Sequence, residues 1–521
     1  MAVALRVTEA AGAAMVAFVG ADLTTQLVAV AVALLFVALG RLWMRKNRRD
    51  RLLAGLPSPP GSLPFFGHAL QLGKGAPWDT FYDWVCQYGE EARGRLVQIS
   101  FVMETGVIVS DPKHIRHVFD KRQRNYPKDI ELAYKPFLHI LGTGLVTSSG
   151  DSWQRQRRLL SVAFRFDILE ETAGVAKRAV DRLSQRLEAK RGTKEPVELA
   201  EEFRVMTLQV IGELILSLSP EESARVFPEL YLPIVTEANR RVWEFWRAYL
   251  PTPGNYKFHR TVAKLNTYVS DLIRKRWAEH RRGEVQEEPD ILDRILTAID
   301  PAEWGEHVVK QLRDEIKTFL LAGHETSASM LTWTIYELAR NPEAHAKALA
   351  EAKSVFTKGG RVAGAEGPAE FEGVDLPNRA ELDKLKYTVN ALKESLRLYT
   401  LVPVVSRYCA ADDKIGDQTI PAGTKIFCLL KAVHMNEKLW PEPHKFKPER
   451  FETDFDIYNF NAFINGPRNC LGQHLALLEA RIVLSLLLQR FTFTAVDETA
   501  GEVDEFIVPT CPKNGMHVYI N

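Results

Sequence analysis

One stretch constrains this chain more than any other: Phe463-Ile-Asn-Gly-Pro-Arg-Asn-Cys-Leu-Gly472. A loop rich in Gly and Pro delivers a single cysteine, Cys470, to the start of an apolar helical pattern running roughly from Leu471 to Phe491. Gly466 and Gly472 permit tight turns and close approach that a side chain would block, and Pro467 stiffens the backbone between them. A helix at that place sets its positive dipole end against the sulfur and favours thiolate over thiol. Arg468, two residues away, adds a fixed cation. A cysteine is usually a small buried hydrophobe; such a use leaves this presentation without a reason.

The segment meets Phe-x-x-Gly-x-Arg-x-Cys-x-Gly at every position and resembles the haem-binding loop of the cytochrome P450 superfamily. The resemblance implies that Cys470 is the axial thiolate ligand of haem iron, with Phe463, Arg468 and Gly472 in the haem cradle. It extends over about residues 57–521.

Length alone suggests about three domains. No Ser/Gly/Pro linker divides the 521 residues after the first sixty, however, and no internal repeat is present. Hydrophobic residues at 46% and charged residues at 26% suit one large packed domain. A net charge of +1 gives no support to a nucleic-acid partner. The five cysteines are odd in number and widely spaced, which argues against a disulfide framework or a zinc site.

The amino terminus is different in kind. Leu23 to Gly40 carries no formal charge, and Arg41, Arg45, Lys46, Arg48, Arg49 and Arg51 follow at once. Crossing ~30 Å of hydrocarbon takes about 20 residues, so residues 23–43 are expected to form a membrane anchor with the bases on the cytoplasmic side. A signal peptide would place its charge before the apolar run. A transit peptide is the other alternative, since the first twenty residues are Ala-rich with Glu9 as the one acid. The expected division is an N-terminal segment 1–22, an anchor 23–43, a basic and proline-rich hinge 44–64, and a catalytic domain 65–521. The resemblance places the protein as a single-pass protein of the endoplasmic reticulum facing the cytoplasm, with a plastid membrane as the alternative.

Strand signals after the hinge are few: Arg95–Ser100, Val107–Val109, and short strands within Val402–Ile426. Lys358 to Gly373 reads as a Gly-rich surface loop. Gly142-Thr-Gly144 looks like the opening of a dinucleotide fingerprint, but Thr147 stands where the third glycine belongs, so it reads as a turn. A helical pattern from about Val308 to Ala339 is ~45 Å long and crosses the domain. Phe319, Gly323, Thr326 and Met330 share one stripe of it. Gly323 needs a reason mid-helix: close approach of a flat cofactor, or close helix packing. Glu325 and Thr326 supply an acid and a hydroxyl, the parts of a proton relay.

The resemblance implies more. Ala322-Gly-His-Glu-Thr326 is similar to the family's oxygen-binding helix, where the acid and alcohol handle protons. Trp153 and Arg157, Arg407, and Arg468 match positions that hold the haem propionates. Glu394, Arg397 and Arg450 match a buried structural triad. Some fatty-acid-hydroxylating branches carry a Glu at the position of Ala322 that bonds covalently to haem; here a non-covalent haem b is expected. Val242–Tyr249 lies where the family has its substrate entrance.

The expected fold is therefore mainly α with small β regions, one large haem-binding domain. The expected function is a monooxygenase that inserts one atom of O2 into a lipophilic molecule such as a fatty acid, terpenoid, carotenoid or sterol. With the chain ending soon after the haem loop, electrons are expected from a separate NADPH-dependent flavoprotein reductase or a ferredoxin. A haem-thiolate isomerase or dehydratase acting on a peroxide, and a non-enzymatic haem sensor, are the alternatives; neither needs an acid–alcohol pair.

Overall fold

The computed structural model describes residues 23–521 apart from 64–65, 74, 91–93, 102–103, 165, 285–288, 357–374, 497–501 and 504–507. The N-terminal segment 1–22 and the Gly-rich stretch 358–373 thus lie outside the described residues.

The first described helix, α1 (Leu23–Leu53), starts where the apolar run begins but continues through the basic cluster. Its stretch up to the basic cluster leaves Leu27, Leu34 and Trp43 more than half exposed. Its last turns are fastened to the domain: Thr105 Oγ1 donates to Asp50 at 2.6 Å, Arg49 meets Glu104 at 3.3 Å, and Leu53 is fully buried. Among the described residues no helix is long and apolar enough to cross a membrane. The fold therefore gives no support to the membrane crossing expected of residues 23–43. The proline-rich stretch that follows is strapped down, since Pro57 O accepts from Gln98 N at 2.8 Å and Pro59 O faces His68 Nε2 at 2.9 Å.

The β-rich side is a four-stranded sheet of β1 (Val97–Phe101), β2 (Glu104–Val109), β3 (Val404–Tyr408) and β4 (Lys425–Leu429) in the order β1-β2-β4-β3. β2 and β4 run parallel, with Val107 opposite Ile426; the other pairs are antiparallel. The alternation expected near residues 95–109 and 402–426 is thus present, shifted by a residue or two at the ends. β2 and β4 are buried almost throughout, as a sheet covered on both faces must be.

Helices fill the rest. Those that shape the site are α2 (Gly150–Ala163), α3 (Leu199–Leu216), α4 (Pro220–Val226), α5 (Leu232–Trp243), α6 (Glu306–Arg340), α7 (Lys386–Tyr399) and α8 (Gln473–Arg490). α6 has 35 residues, about 52 Å, and packs along α3 through the middle of the helical core. Its buried hydroxyls at Thr318, Thr332 and Thr334 donate to carbonyls four residues back, so they cost no unpaired group. Gly142 sits against its flank at φ +52°, where a Cβ would fall 2.1 Å from Asp314 Oδ2. Thr143 N donates to that carboxylate at 3.1 Å and Leu145 N to Glu315 at 2.8 Å. The Gly142-Thr-Gly144 turn is a docking point for α6.

Candidate active site

The cysteine loop is closed by its own backbone. Cys470 N donates to Phe463 O at 2.9 Å and Asn469 N to Gly466 O at 3.1 Å. Gly466 has φ +85°, and a Cβ there would lie 2.5 Å from Phe119 O, so both turn and packing require glycine. Gly472 is different: its φ is −87° and no protein atom comes within 4 Å of where its Cβ would be. Arg157 on α2 holds the loop from outside, donating to Asn469 O at 2.9 Å and Asn469 Oδ1 at 2.7 Å.

The Cys470 side chain is exposed in this structure, although protein crowds the sulfur on other sides. Burial pushes its thiol up, and the Gly472 N–H and the Arg157 guanidinium draw it back without cancelling the rise. A cation bound at the sulfur favours the thiolate. Arg468 is not that cation. Its guanidinium lies over the Trp153 ring at 4.1 Å and donates to Ser148 O at 3.4 Å.

Arg468 belongs instead to a group of cations with Arg157, Arg407 and Lys128. Lys128 is held well below the usual lysine range, first by burial and then by Arg407, Arg468 and Arg157. Arg468 is lowered to about 10, by burial and then by Arg407. Among the described residues none of the four has a carboxylate within ion-pair distance, and the buried Arg468 Nε has no hydrogen-bond partner. The one acid that acts on Lys128, Glu315, is itself raised by burial to about 7. Sequence reasoning missed Lys128 and Asn469; a lysine in the irregular stretch before residue 130 carries no periodic signal.

α6 packs against α8, the helix that follows the loop. Ala322 is exposed mid-helix although Leu320 and His324 on either side are buried. Thr326, one turn on, donates its hydroxyl to Ala322 O at 2.6 Å. Glu325 is 100° further round and binds Arg204 Nε at 3.3 Å, with His324 Nε2 at 3.3 Å from its other oxygen. Burial opposes its charge, but His324 and Arg204 outweigh burial and hold the carboxyl at about 2. Acid and alcohol are thus neighbours in sequence on different faces. Gly323 meets the second of its two reasons: a Cβ would fall 2.8 Å from Ile211 of α3, so close helix packing calls for glycine there.

A flat, apolar dianion carrying a metal fits this space. The thiol of Cys470 is a soft ligand, no protein atom crowds a Cβ at Gly472, Ala322 is exposed, and Arg157, Arg407 and Arg468 all act on the buried Lys128. The expected triad also forms, away from the gap: Arg397 donates twice to Glu394 at 2.8 Å and Arg450 once at 3.1 Å.

The family model described as Cytochrome P450 matches residues 57–515. Similar curated proteins include cytochrome P450 4e2 of Drosophila melanogaster, 28% identical over 92% of this chain and 90% of that protein. A cytokinin hydroxylase of Arabidopsis thaliana is 32% identical over 73% of each chain. The protein LUTEIN DEFICIENT 5, chloroplastic, of Arabidopsis thaliana is 30% identical over 77% of this chain and 67% of its own. Among solved structures, the crystal structure of the cytochrome P450DA heme domain has a TM-score of 0.75 at 24% identity, covering 89% of this chain and 97% of that one. The chain belongs to the cytochrome P450 family. It is a monooxygenase of that family, with haem b bound through a cysteine–iron bond, using O2, a substrate and an electron donor.

Proposed function

We propose that Cys470 is the iron ligand and that Arg157, Arg407 and Arg468, with Trp153 beneath Arg468, hold the haem propionates. Cys470 carries the reading: the Gly466 turn presents it at the start of α8, exposed, with Arg157 fastened to its loop. Bound there, haem supplies activation of O2 and insertion of one oxygen atom into a C–H bond of a lipophilic substrate. The chain's own residues do the rest. Arg157 fixes the loop through Asn469. Phe463 and Gly472 line the cradle. Thr326 presents its hydroxyl from α6, and Glu325 exchanges protons only when Arg204 releases it.

Oxygen insertion into a small organic substrate is supported by relatives that include a cytokinin hydroxylase, and Ala322, where some fatty-acid-hydroxylating branches carry Glu, leaves the haem non-covalent. Arg155 and Arg158 on α2 are exposed and form a basic face for an acidic NADPH-dependent flavoprotein reductase or ferredoxin. Membrane attachment through residues 23–43 is supported by the exposed apolar half of α1 and the bases after it. The endoplasmic reticulum is the proposed site, and the chloroplastic relative names the alternative.

The test is oxidation with a reductase. Wild-type protein is expected to show the red-shifted Soret band of a thiolate-ligated haem when reduced under CO, and NADPH-dependent O2 consumption with a lipid panel. Cys470→Ser loses both. Retention of that band in Cys470→Ser overturns the ligand assignment.

A further inference from the structure

His324 and His434 are both fully buried, and their ring nitrogens are spent differently. In His434, Nε2 accepts from Asn461 N at 2.9 Å, so the hydrogen sits on Nδ1, which bonds Thr400 Oγ1 at 2.8 Å. Burial, and then Arg397, hold that ring at about 3. A backbone N–H occupies the one atom that could take a proton, so His434 is closed. His324 is open. Its Nδ1 lies 2.8 Å from Leu320 O, and a carbonyl only accepts, so Nδ1 carries hydrogen. Nε2 is then the atom that takes or gives up a proton. It stands 3.3 Å from Glu325 Oε1, an ion-pair distance, and no hydrogen bond occupies it. A bare nitrogen there would set its lone pair against a carboxylate oxygen; a proton on Nε2 turns the contact into attraction.

The charges around the ring point the same way. On α3, Arg204 is shared by Glu201 at 3.1 Å and by Glu325 Oε2 at 3.3 Å, so two acids meet one guanidinium. Thr207, also on α3, spends its hydroxyl on His324 O at 2.9 Å. From the segment Phe227–Tyr231, the Tyr231 ring packs edge-on at 5.4 Å, and burial, then Glu325, keep its phenol protonated. Cys511 acts on Arg204 from the C-terminal segment. A hydrogen on Nε2 brings the set to two positive and two negative charges.

The carboxyl cannot hold that proton itself. With its pKa at about 2, it is protonated in about one molecule in 10⁵ at pH 7. We propose that His324 is the proton-holding partner of Glu325. The acid faces a cleft that it lines with Glu201 and Arg204. There it takes a proton from water and passes it to Nε2, and the same carboxyl carries it back when turnover draws one. One proton moves, the hydrogen on Nδ1 stays, and no electron or bond to carbon changes. His324 acts through Glu325 and is a positioning residue. Its use in turnover rests on the role given to Glu325 above; the place of the proton does not.

The experiment uses the full haem-loaded chain with nitrogen-15 in its histidines, read by NMR in the ferrous CO form, whose iron is diamagnetic. At pH 7 both nitrogens of His324 are expected to carry hydrogen, while His434 shows one bare nitrogen. Glu325→Gln removes the charge and is expected to strip the hydrogen from Nε2. His324→Gln, which keeps an N–H toward Glu325, assigns the signal; should it fail to fold, the signal displaced by Tyr231→Leu does so. A bare Nε2 in the wild type at pH 7 overturns the proposal, and so does an Nε2 hydrogen unmoved by Glu325→Gln. Turnover with a reductase tests the role of Glu325 separately. In His324→Gln the carboxylate must take each proton from water. The O2-consuming rate is then expected to fall about tenfold per pH unit between about pH 6.5 and about pH 7.5, where the wild type stays level. A purely structural role for His324 would lower the rate equally at each pH and would overturn its part in turnover. A rate in His324→Gln equal to wild type, with the NMR result standing, removes Glu325 from the relay and leaves the proton on His324.

Discussion

Two groups of buried charges in this molecule are balanced in opposite ways. Glu394 and Arg397 are both fully buried, and each Glu394 oxygen accepts from Arg397. Arg450 Nε and Lys447 N add further donors to one oxygen, and Arg397 spends another N–H on His434 O at 2.9 Å. That cluster closes on itself. Lys128, Arg157, Arg407 and Arg468 are the reverse. Arg407 is 3% exposed, donates to Ser406 O and lies 5.4 Å from the Phe119 ring. A closed network has nothing to offer a ligand and holds elements together. An open one of single sign is stable only weakly until a dianion arrives.

The largest expected effect breaks the closed cluster. Glu394→Ala leaves Arg397 charged and dry between α7 and the segment ending at Arg450. Removing one member of a buried pair costs about 3–5 kcal/mol, a large part of a domain's usual 5–15 kcal/mol. Soluble yield and the urea midpoint should both fall with or without haem. A midpoint within error of wild type would erase the contrast between the clusters.

The open cluster should respond differently to the same kind of change. Arg468→Met removes a cation that Arg407 repels and adds apolar contact with Trp153. The haem-free protein should be as stable as wild type or slightly more so. Haem retention, read as the transfer rate to a haem acceptor, should worsen about 10–100-fold, the value of one charged hydrogen bond of roughly 1.5–3 kcal/mol. Loss of stability in the haem-free state would show that the cations are structural after all.

The two clusters were not equally legible in the sequence. Glu394 and Arg397 are three apart on one helix, and a local rule reaches them. Trp153 and Arg157 are four apart on one helical face, but their part in holding haem comes from the resemblance alone. Gly466, Pro467 and Cys470 were legible because a loop that turns tightly before an apolar helix has few possible sequences. Gly323 shows the limit. Glycine marks close approach but not what approaches, and Ile211, over a hundred residues earlier, is the neighbour a Cβ there would meet. Glu325 and Thr326 look like one unit in the chain, yet a 100° step per residue separates them and Arg204 claims the acid. Lys128 and Asn469 were missed because their partners are set by tertiary folding alone.

A third solution to buried charge sharpens the comparison. Glu479 on α8 is 2% exposed, one oxygen accepts from Ser327 of α6 at 3.4 Å, and the other has no partner. No cation pairs with it among the described residues, so burial raises its pKa to about 8, with the Ser327 bond opposing only weakly. The folded state thus holds this proton more tightly than the unfolded chain, whose value is 4.5. Its contribution is fully present below pH 4.5 and is lost as pH rises through about 8. The loss is at most about 1.4 kcal/mol per pH unit. Glu479→Gln keeps the shape and the acceptor but cannot ionise. The gap in urea midpoint between variant and wild type should therefore widen steadily in favour of the variant from about pH 5.5 to about pH 7.5, because every other titrating group is common to both. Ser327 follows Thr326, and α8 follows Cys470, so the neutral pair ties the helix above the gap to the helix below it. A gap that stays constant with pH would mean that Glu479 is ionised in the folded protein and finds a cation there, which would place it with the closed cluster.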